Sequence, residues 1–275
     1  VNASSKQDSP SAPWADSSAV ELRMVDRHLP DAGGAARGLR AVILAGGRGV
    51  RLRPFTVNFP KPLVPLGDTP VVEVLLERLI DSGVTDVTMT LGHLADLMRA
   101  YFSQRTAITS RLNLRFVQES EPSGTAGSLR TVAGLDKTFL VMNGDLLTDL
   151  DFDDLVHHHR QQGAALTIAT HRRHVKVDLG VLELGSGDRV VGYREKPEMF
   201  YEVSMGIYVF EPQVLDFIEP DKYLDFPDLV LRLIDAGLPV CGYRTNCLWL
   251  DIGRPDDYAR AQELFAEKRN QFERV

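Results

Sequence analysis

Four cations, Arg48, Arg51, Arg53 and Lys61, stand within fourteen residues of one another, threaded through a stretch that contains Gly46, Gly47 and Gly49. Glycines let backbone N–H groups approach phosphate oxygens closely, and clustered cations attract the same oxygens. Lys61 lies between Pro60 and Pro62, which restrict the backbone and so aim the side chain. Two carboxylates complete the set. Asp145 closes V-M-N-G-D, and Asp251 lies in L-W-L-D-I-G, each at the end of an apolar run and near a glycine. A carboxylate at a strand's carboxyl end beside a glycine is well placed for a metal ion. Taken alone, each aspartate reads equally well as a turn residue, and the cations as solvated surface charge. Together they point to a polyphosphate ligand.

These residues need elements that position them. Ala41–Ala45 is a short apolar run followed by glycine, which predicts a buried strand of a parallel sheet. Its loop then falls at the carboxyl edge, where open α/β sheets bind ligands. Two familiar phosphate loops are excluded. No Gly-Lys-Ser or Gly-Lys-Thr occurs, and Leu52 stands where a dinucleotide fingerprint needs its third glycine.

Strand and helix patterns alternate up to about residue 150. A helix is expected from Thr69 (N-cap) and Pro70 to Gly83, then strands around 87–91, 112–116 and 138–142, with a helix near 94–102 between the first two. This implies right-handed βαβ units on a parallel sheet. From Asp151 the pattern changes. A helix over 151–163 precedes a strand over 164–170, a hairpin over 180–194, a strand over 203–210, a helix over 228–234, short strands over 239–244 and 247–251, and a closing helix over 255–268. Residues 1–38 read as an N-terminal extension: coil to Ser18, a short helix over 20–29, and a Gly/Ala linker over 31–38. It is either a disordered leader or an arm on the core or a neighbouring subunit. The domain proper is expected over 39–275, in halves that meet near residue 150.

The 275 residues carry a net charge of −7, so no general basic field would hold nucleic acid. No apolar run approaches the ~20 residues of a membrane span, and the N-terminus lacks the order of a secretory signal. Cys241 and Cys247 do not make a disulfide scaffold; free thiols are the expectation, with a hairpin pair as the alternative. A cytoplasmic protein is expected, and a homo-oligomer is compatible with these features. His157, His158 and His159 point about 100° apart on a helix and cannot share one ion. Trp249 reads as core or as a wall of a ligand pocket.

The two-part pattern L-A-G-G-x-G-x-R-L-x-P then P-K-P-L-x-P-L-G resembles that of the sugar-1-phosphate nucleotidyltransferases, and the resemblance covers about residues 39–268. It implies a Rossmann-like α/β fold with a mixed, mainly parallel sheet flanked by helices and a small β-rich sugar-binding part. It implies a Mg2+-dependent enzyme that joins an NTP to a sugar-1-phosphate, or to a cyclitol-1-phosphate that mimics one, and releases pyrophosphate. The first half would bind nucleotide through Leu44, Ala45, Gly46, Gly47, Gly49, Val50, Asn143 and Gly144. The base would rest on Gly124, Thr125 and Ala126, whose backbone groups read its edge, with Gln118 beside them. Arg51 would contact the leaving phosphates and Lys61 the α-phosphate, while Asp145 and Asp251 hold the metal. Gly180, Glu195, Lys196 and Ser204 would bind the sugar phosphate. The acceptor phosphate is already ionised near neutral pH, so catalysis must neutralise charge and align two polyanions.

The overall pattern looks most like bacterial guanylyltransferases for mannose- or heptose-type phosphates, so GTP is the expected donor; thymidylyl, cytidylyl, uridylyl and adenylyl enzymes share the loop. Three residues depart from the family: Val50 for a hydroxyl residue, Leu179 for an aromatic, and Ser204 for Asn. The last two leave the sugar open. A catalytically silent relative that binds nucleotide sugars should lack a loop cation or a metal carboxylate. Arg51, Lys61, Asp145 and Asp251 are all present. An enzyme for a non-sugar acceptor such as phosphocholine would not need Gly180 or Glu195.

Overall fold

The computed structural model describes residues 34–268 and residue 272. The expected leader coil and the helix over 20–29 lie outside the described residues. The first half runs β1 (Arg40–Ala45), β2 (Pro65–Leu66), β3 (Thr69–Pro70), α1 (Val71–Asp81), β4 (Asp86–Leu91), α2 (Ala95–Ser103), α3 (Thr106–Thr109), β5 (Asn113–Gln118), α4 (Gly124–Gly127), β6 (Phe139–Asn143) and β7 (Leu146–Thr148). The second half runs α5 (Phe152–Gln162), β8 (Leu166–Lys176), β9 (Val181–Leu184), β10 (Val190–Arg194), β11 (Glu198–Phe210), α6 (Phe226–Asp235), β12 (Val240–Thr245), β13 (Trp249–Asp251) and α7 (Pro255–Glu267).

Seven strands form one mixed sheet in the order β12-β8-β11-β6-β1-β4-β5. Within it β11 alone runs antiparallel to its neighbours. The mixed, mainly parallel α/β architecture therefore matches the expectation. Side chains alternate across β1. Ala41, Ile43 and Ala45 enter one core with α1, α2 and α5, while Val42 enters the other with α6. With both faces covered, Thr88 and Thr90 of β4 are buried along with Val87 and Met89. A third cluster, with Leu52, Val64, Leu147, Ile252 and Phe265, seals α7 against β2, β7 and β13. Each fully buried Phe or Leu contributes about 1.5–3 kcal/mol.

Local signals explain most boundaries. Asp151 caps α5 by accepting from the Asp154 N–H at 3.0 Å, and Gly163 ends it at φ 56°. Gly83, at φ 76°, ends α1, and the Val84 N–H reaches the Leu79 carbonyl at 3.0 Å. Three readings needed correction. Thr69 does not cap α1. It pairs with Leu66 in a two-residue ladder around Gly67, so Pro70 takes the N-cap and the helix starts at Val71. Strands β8 and β11 extend beyond their apolar stretches to Lys176 and Glu198, because the ladder continues through exposed charged pairs such as Arg172 opposite Glu202. Residues 34–38 are not a free linker. Ala36 is buried and its N–H donates to Asp153 Oδ1 at 2.7 Å.

The three histidines diverge as expected: His157 meets Gln161, His158 meets the Tyr243 ring, and His159 turns inward. His159 Nδ1 lies 2.8 Å from the Thr167 hydroxyl, and Nε2 lies 3.1 Å from Glu211 Oε1. Burial lowers its pKa, outweighing Glu211, so the imidazole is neutral in the fold. An unfolded histidine binds a proton below about pH 6.5. Stability from this group is therefore present above that pH and lost as pH falls through the lower folded value. Melting temperature should drop between pH 7.5 and 5.5. His159→Gln should cost stability at pH 7.5 but flatten that slope; an unchanged slope would refute the assignment.

Candidate active site

The chain runs from β1 to β4 and β5 on one side, then returns to place β6 on the other side of β1. Strand order reverses there, and such a switch point leaves a crevice at the carboxyl ends of the strands. A cleft of about 430 Å³ opens at that place. It is lined by Leu44, Ala45, Gly46, Gly47, Gly49, Val50, Arg51 and Lys61, by Asn143, Gly144 and Asp145 after β6, and by Gly124 and Thr125 from α4.

The glycine bend is sterically specified. Gly49 has φ 59°, and a Cβ there would meet Thr56 Cγ2 at 3.0 Å and Lys61 Cβ at 3.2 Å. Its carbonyl accepts from the Thr56 hydroxyl at 2.6 Å, which ties the bend to the returning chain. Lys61 opens the 3₁₀ turn Lys61–Leu63, with the buried Pro60 before it and the buried Pro62 after it. Its ammonium pairs with Asp145 and lies 3.9 Å from Asp251 Oδ1. Only 13% of the Lys61 side chain and 14% of that of Asp145 remain exposed, so this is no solvated surface pair. Strand β13 brings Asp251 there by pairing with β7, opposite Leu146, and the Ile252 N–H donates to the Asp145 carbonyl at 3.0 Å. Burial and the Asp145 charge push the Asp251 pKa up, against the opposing pull of Lys61 and Arg51. Two like charges held together around one cation mark a place built for positive charge, and a divalent ion fits that donor set.

Other expected residues sit differently. Ala126 is completely buried. The Thr125 N–H donates to Asp225 Oδ1 at 2.9 Å, and the Ala126 and Gly127 N–H groups both donate to the Leu224 carbonyl at 3.0 Å. The N–H donors of residues 125–127 are thus spent within the protein. Gln118 is exposed, accepts from Arg99 at 2.9 Å and lines a neighbouring cavity. Gly180, Glu195 and Lys196 do not line the cleft. They lie on or beside the exposed β9–β10 hairpin, where Tyr193 donates to Glu195 at 2.7 Å. Ser204 sits at the β11 bulge, 3.2 Å from the Tyr208 hydroxyl. Trp249 is half-buried and donates to the Met205 carbonyl at 2.8 Å. Both cysteines are free and half-buried. Sequence reasoning missed Glu119, Tyr223 and Asp225 as cleft residues. Glu119 was legible as the residue directly after a strand. The other two lie about a hundred residues from the α4 segment they face.

A mainly parallel α/β sheet with a crevice at its switch point places a ligand site at the carboxyl ends of β1 and β6. The chain belongs to the nucleotidyl transferase family, whose model matches residues 40–268. It is 33% identical over 241 residues to a UTP–glucose-1-phosphate uridylyltransferase of Synechocystis, spanning 81% of this chain and 62% of that protein. It is 33% identical over 229 residues to a mannose-1-phosphate guanylyltransferase of Mycobacterium tuberculosis, spanning 80% of this chain and 62% of that one. The chain thus spans about three fifths of the length of these relatives. Among solved structures, HddC from Yersinia pseudotuberculosis, determined alone and complexed with GMP-PN, is similar with a TM-score of 0.63 and 26% identity over 82% of this chain and 99% of that one. Among the described residues no helix is long and apolar enough to cross a membrane.

The Lys61 position yields a test independent of turnover. Lys61→Met leaves two neighbouring carboxylates without their shared cation. It should lower stability by about 1–3 kcal/mol in metal-free buffer. Added Mg2+ should then raise the melting temperature of the variant more than that of the parent. Equal shifts would argue against a cation site between Asp145 and Asp251.

Proposed function

We propose that this protein transfers a nucleoside monophosphate from an NTP, with GTP as the leading donor, to a sugar-1-phosphate or a sugar-like 1-phosphate, releasing pyrophosphate. The observation that carries the reading is Lys61 set between Asp145 and Asp251 at the foot of the glycine bend. Its support is chemical. One phosphate oxygen must attack the α-phosphorus of another polyanion, so the site must offset repulsion and fix the line of attack. The N–H groups and Arg51 of the loop would hold the leaving phosphates. Lys61 would hold the α-phosphate, exchanging its carboxylate partners for phosphate oxygens. Asp145 and Asp251 would hold Mg2+, which neutralises charge on both phosphates when bound. Residues up to about 150 would form the nucleotide half and those beyond it the acceptor half. The exposed hairpin with Gly180, Glu195 and Lys196 would supply acceptor contacts. The guanylyltransferase relatives and the HddC complex named above favour GTP.

The test is a matrix of five triphosphates against a panel of sugar-1-phosphates and cyclitol-1-phosphates, read as pyrophosphate release. One pairing should turn over, and Asp145→Asn should slow it at least about 100-fold with the fold intact. Silence across the whole matrix, together with tight binding of a nucleotide sugar, would instead indicate a regulatory sensor.

A further inference from the structure

The cleft has two walls backed by different parts of the core. Behind the Lys61 turn stand Leu63 and Val64, in the first and third apolar clusters. Behind α4 stand Ala126 and Leu129, in the second. Among the described residues that line the cleft, the cations are Arg51 and Lys61, and both belong to the first wall. Phosphates would gather there. The α4 wall, with Gly124, Thr125, Ser128, Tyr223 and Asp225, would face the uncharged part of the ligand.

Helix α4 does not hold that wall by itself. It is four residues long and has glycine at both ends. A segment of the second half, residues 222–226, grips it. The Leu224 N–H donates to the Ser123 carbonyl at 2.9 Å, and the Leu224 carbonyl accepts from the Ala126 and Gly127 N–H groups. A Cβ on Gly124, at φ 84°, would run into that same carbonyl. Asp225 supplies the side-chain part of the grip. Its Oδ1 accepts from the Thr125 N–H at 2.9 Å and from the Thr125 hydroxyl at 3.1 Å, across 100 residues of chain. Its Oδ2 accepts from the Tyr223 hydroxyl at 2.8 Å. The Thr125 hydroxyl in turn accepts from the Phe226 N–H at 2.9 Å. Burial pushes the Asp225 pKa up, but the bonds from Thr125 and Tyr223 outweigh it, so the carboxyl titrates below its ordinary value.

We propose that Asp225 is a positioning residue for the donor substrate, which holds α4 in place against the nucleoside through Thr125; this rests on the nucleotidyl-transfer reading of the same cleft. The grip comes from the second half of the chain, so the nucleoside wall is completed by the half that would handle the acceptor. Loosening α4 has a selective consequence. Affinity for the nucleoside part falls, while the Lys61 wall still holds phosphates. A carboxylate that only supported the fold would weaken every ligand of the cleft together, or lower stability and leave affinity alone. The contact is also open to conservative replacement. An amide oxygen can accept from Thr125 as a carboxylate does, whereas a methyl group cannot.

The experiment measures melting temperature and equilibrium binding of GTP, UTP, ATP, CTP, dTTP and inorganic tripolyphosphate, each with Mg2+, to the full chain and its variants. The native protein should bind one of the five nucleotides more tightly than tripolyphosphate. Asp225→Ala should weaken that nucleotide by about 10- to 100-fold and tripolyphosphate by less than about twofold. Asp225→Asn should bring nucleotide affinity back to within about threefold of native. Thr125→Val keeps the N–H and loses the hydroxyl, so its loss should fall between those two. Combined with Asp225→Ala, it should cost less than the sum of the separate losses, because both act through one contact. Should Asp225→Ala fail to fold, Thr125→Val carries the test through the same nucleotide-to-tripolyphosphate ratio. Equal weakening of nucleotide and tripolyphosphate, a drop in melting temperature with nucleotide affinity unchanged, or strict additivity would overturn the role of Asp225 and leave nucleotidyl transfer standing. So would Asp225→Asn as weak as Asp225→Ala, or native nucleotide binding no tighter than that of tripolyphosphate. Failure of the native protein to bind any of the five nucleotides would refute the functional reading itself.

Discussion

Electrostatic repulsion between carboxylates that must stay close is the constraint around which this structure is arranged. Asp145 and Asp251 meet only because β7 and β13 pair, and that pairing joins positions 106 residues apart. Burial and the neighbouring Asp145 charge raise the cost of charge on Asp251. Lys61 offsets that cost. The two prolines beside it and the Gly49 bend above it leave the lysine few other places to go.

The rest of the fold serves this arrangement at the level of layers. Helices on both faces bury the strands of the first half. The third apolar cluster fixes α7 and the β13 end to the first half, so Asp251 is held by packing and not by a mobile tail. By contrast, the arm built from the outer parts of β8 and β11 with the β9–β10 hairpin has little apolar support. Leu179, Leu184, Val191 and Tyr193 remain more than half exposed. Elements with few buried contacts open at low cost, and ligand-handling parts of proteins are drawn from that class. The first half is thus well packed at its carboxyl edge, whereas this arm of the second half is exposed.

Charge is also distributed along the crevice. Cations and the metal-compatible pair gather at the β6 end, whereas Glu119 and Asp225 stand toward β5 and α4.

The sequence by itself determined the strand–loop edge and the identity of the charged residues. Ala41–Ala45 could only be a buried strand, Gly49 only a bend, and Asp151 to Gly163 only a capped helix, because these signals are local. Patterns of period and capping carry them within a dozen residues. The charged outer halves of β8 and β11 escaped because backbone pairing, not apolar pattern, makes them strands. Thr69 misled because its cap signal was overruled by pairing with Leu66. Tertiary structure alone decided that Asp251 comes to Lys61 beside Asp145, that the N–H donors of residues 125–127 are consumed by residues 224 and 225, and that Glu119 lines the cleft. Each of those facts depends on contacts between distant segments, and distance along the chain carries no trace of them.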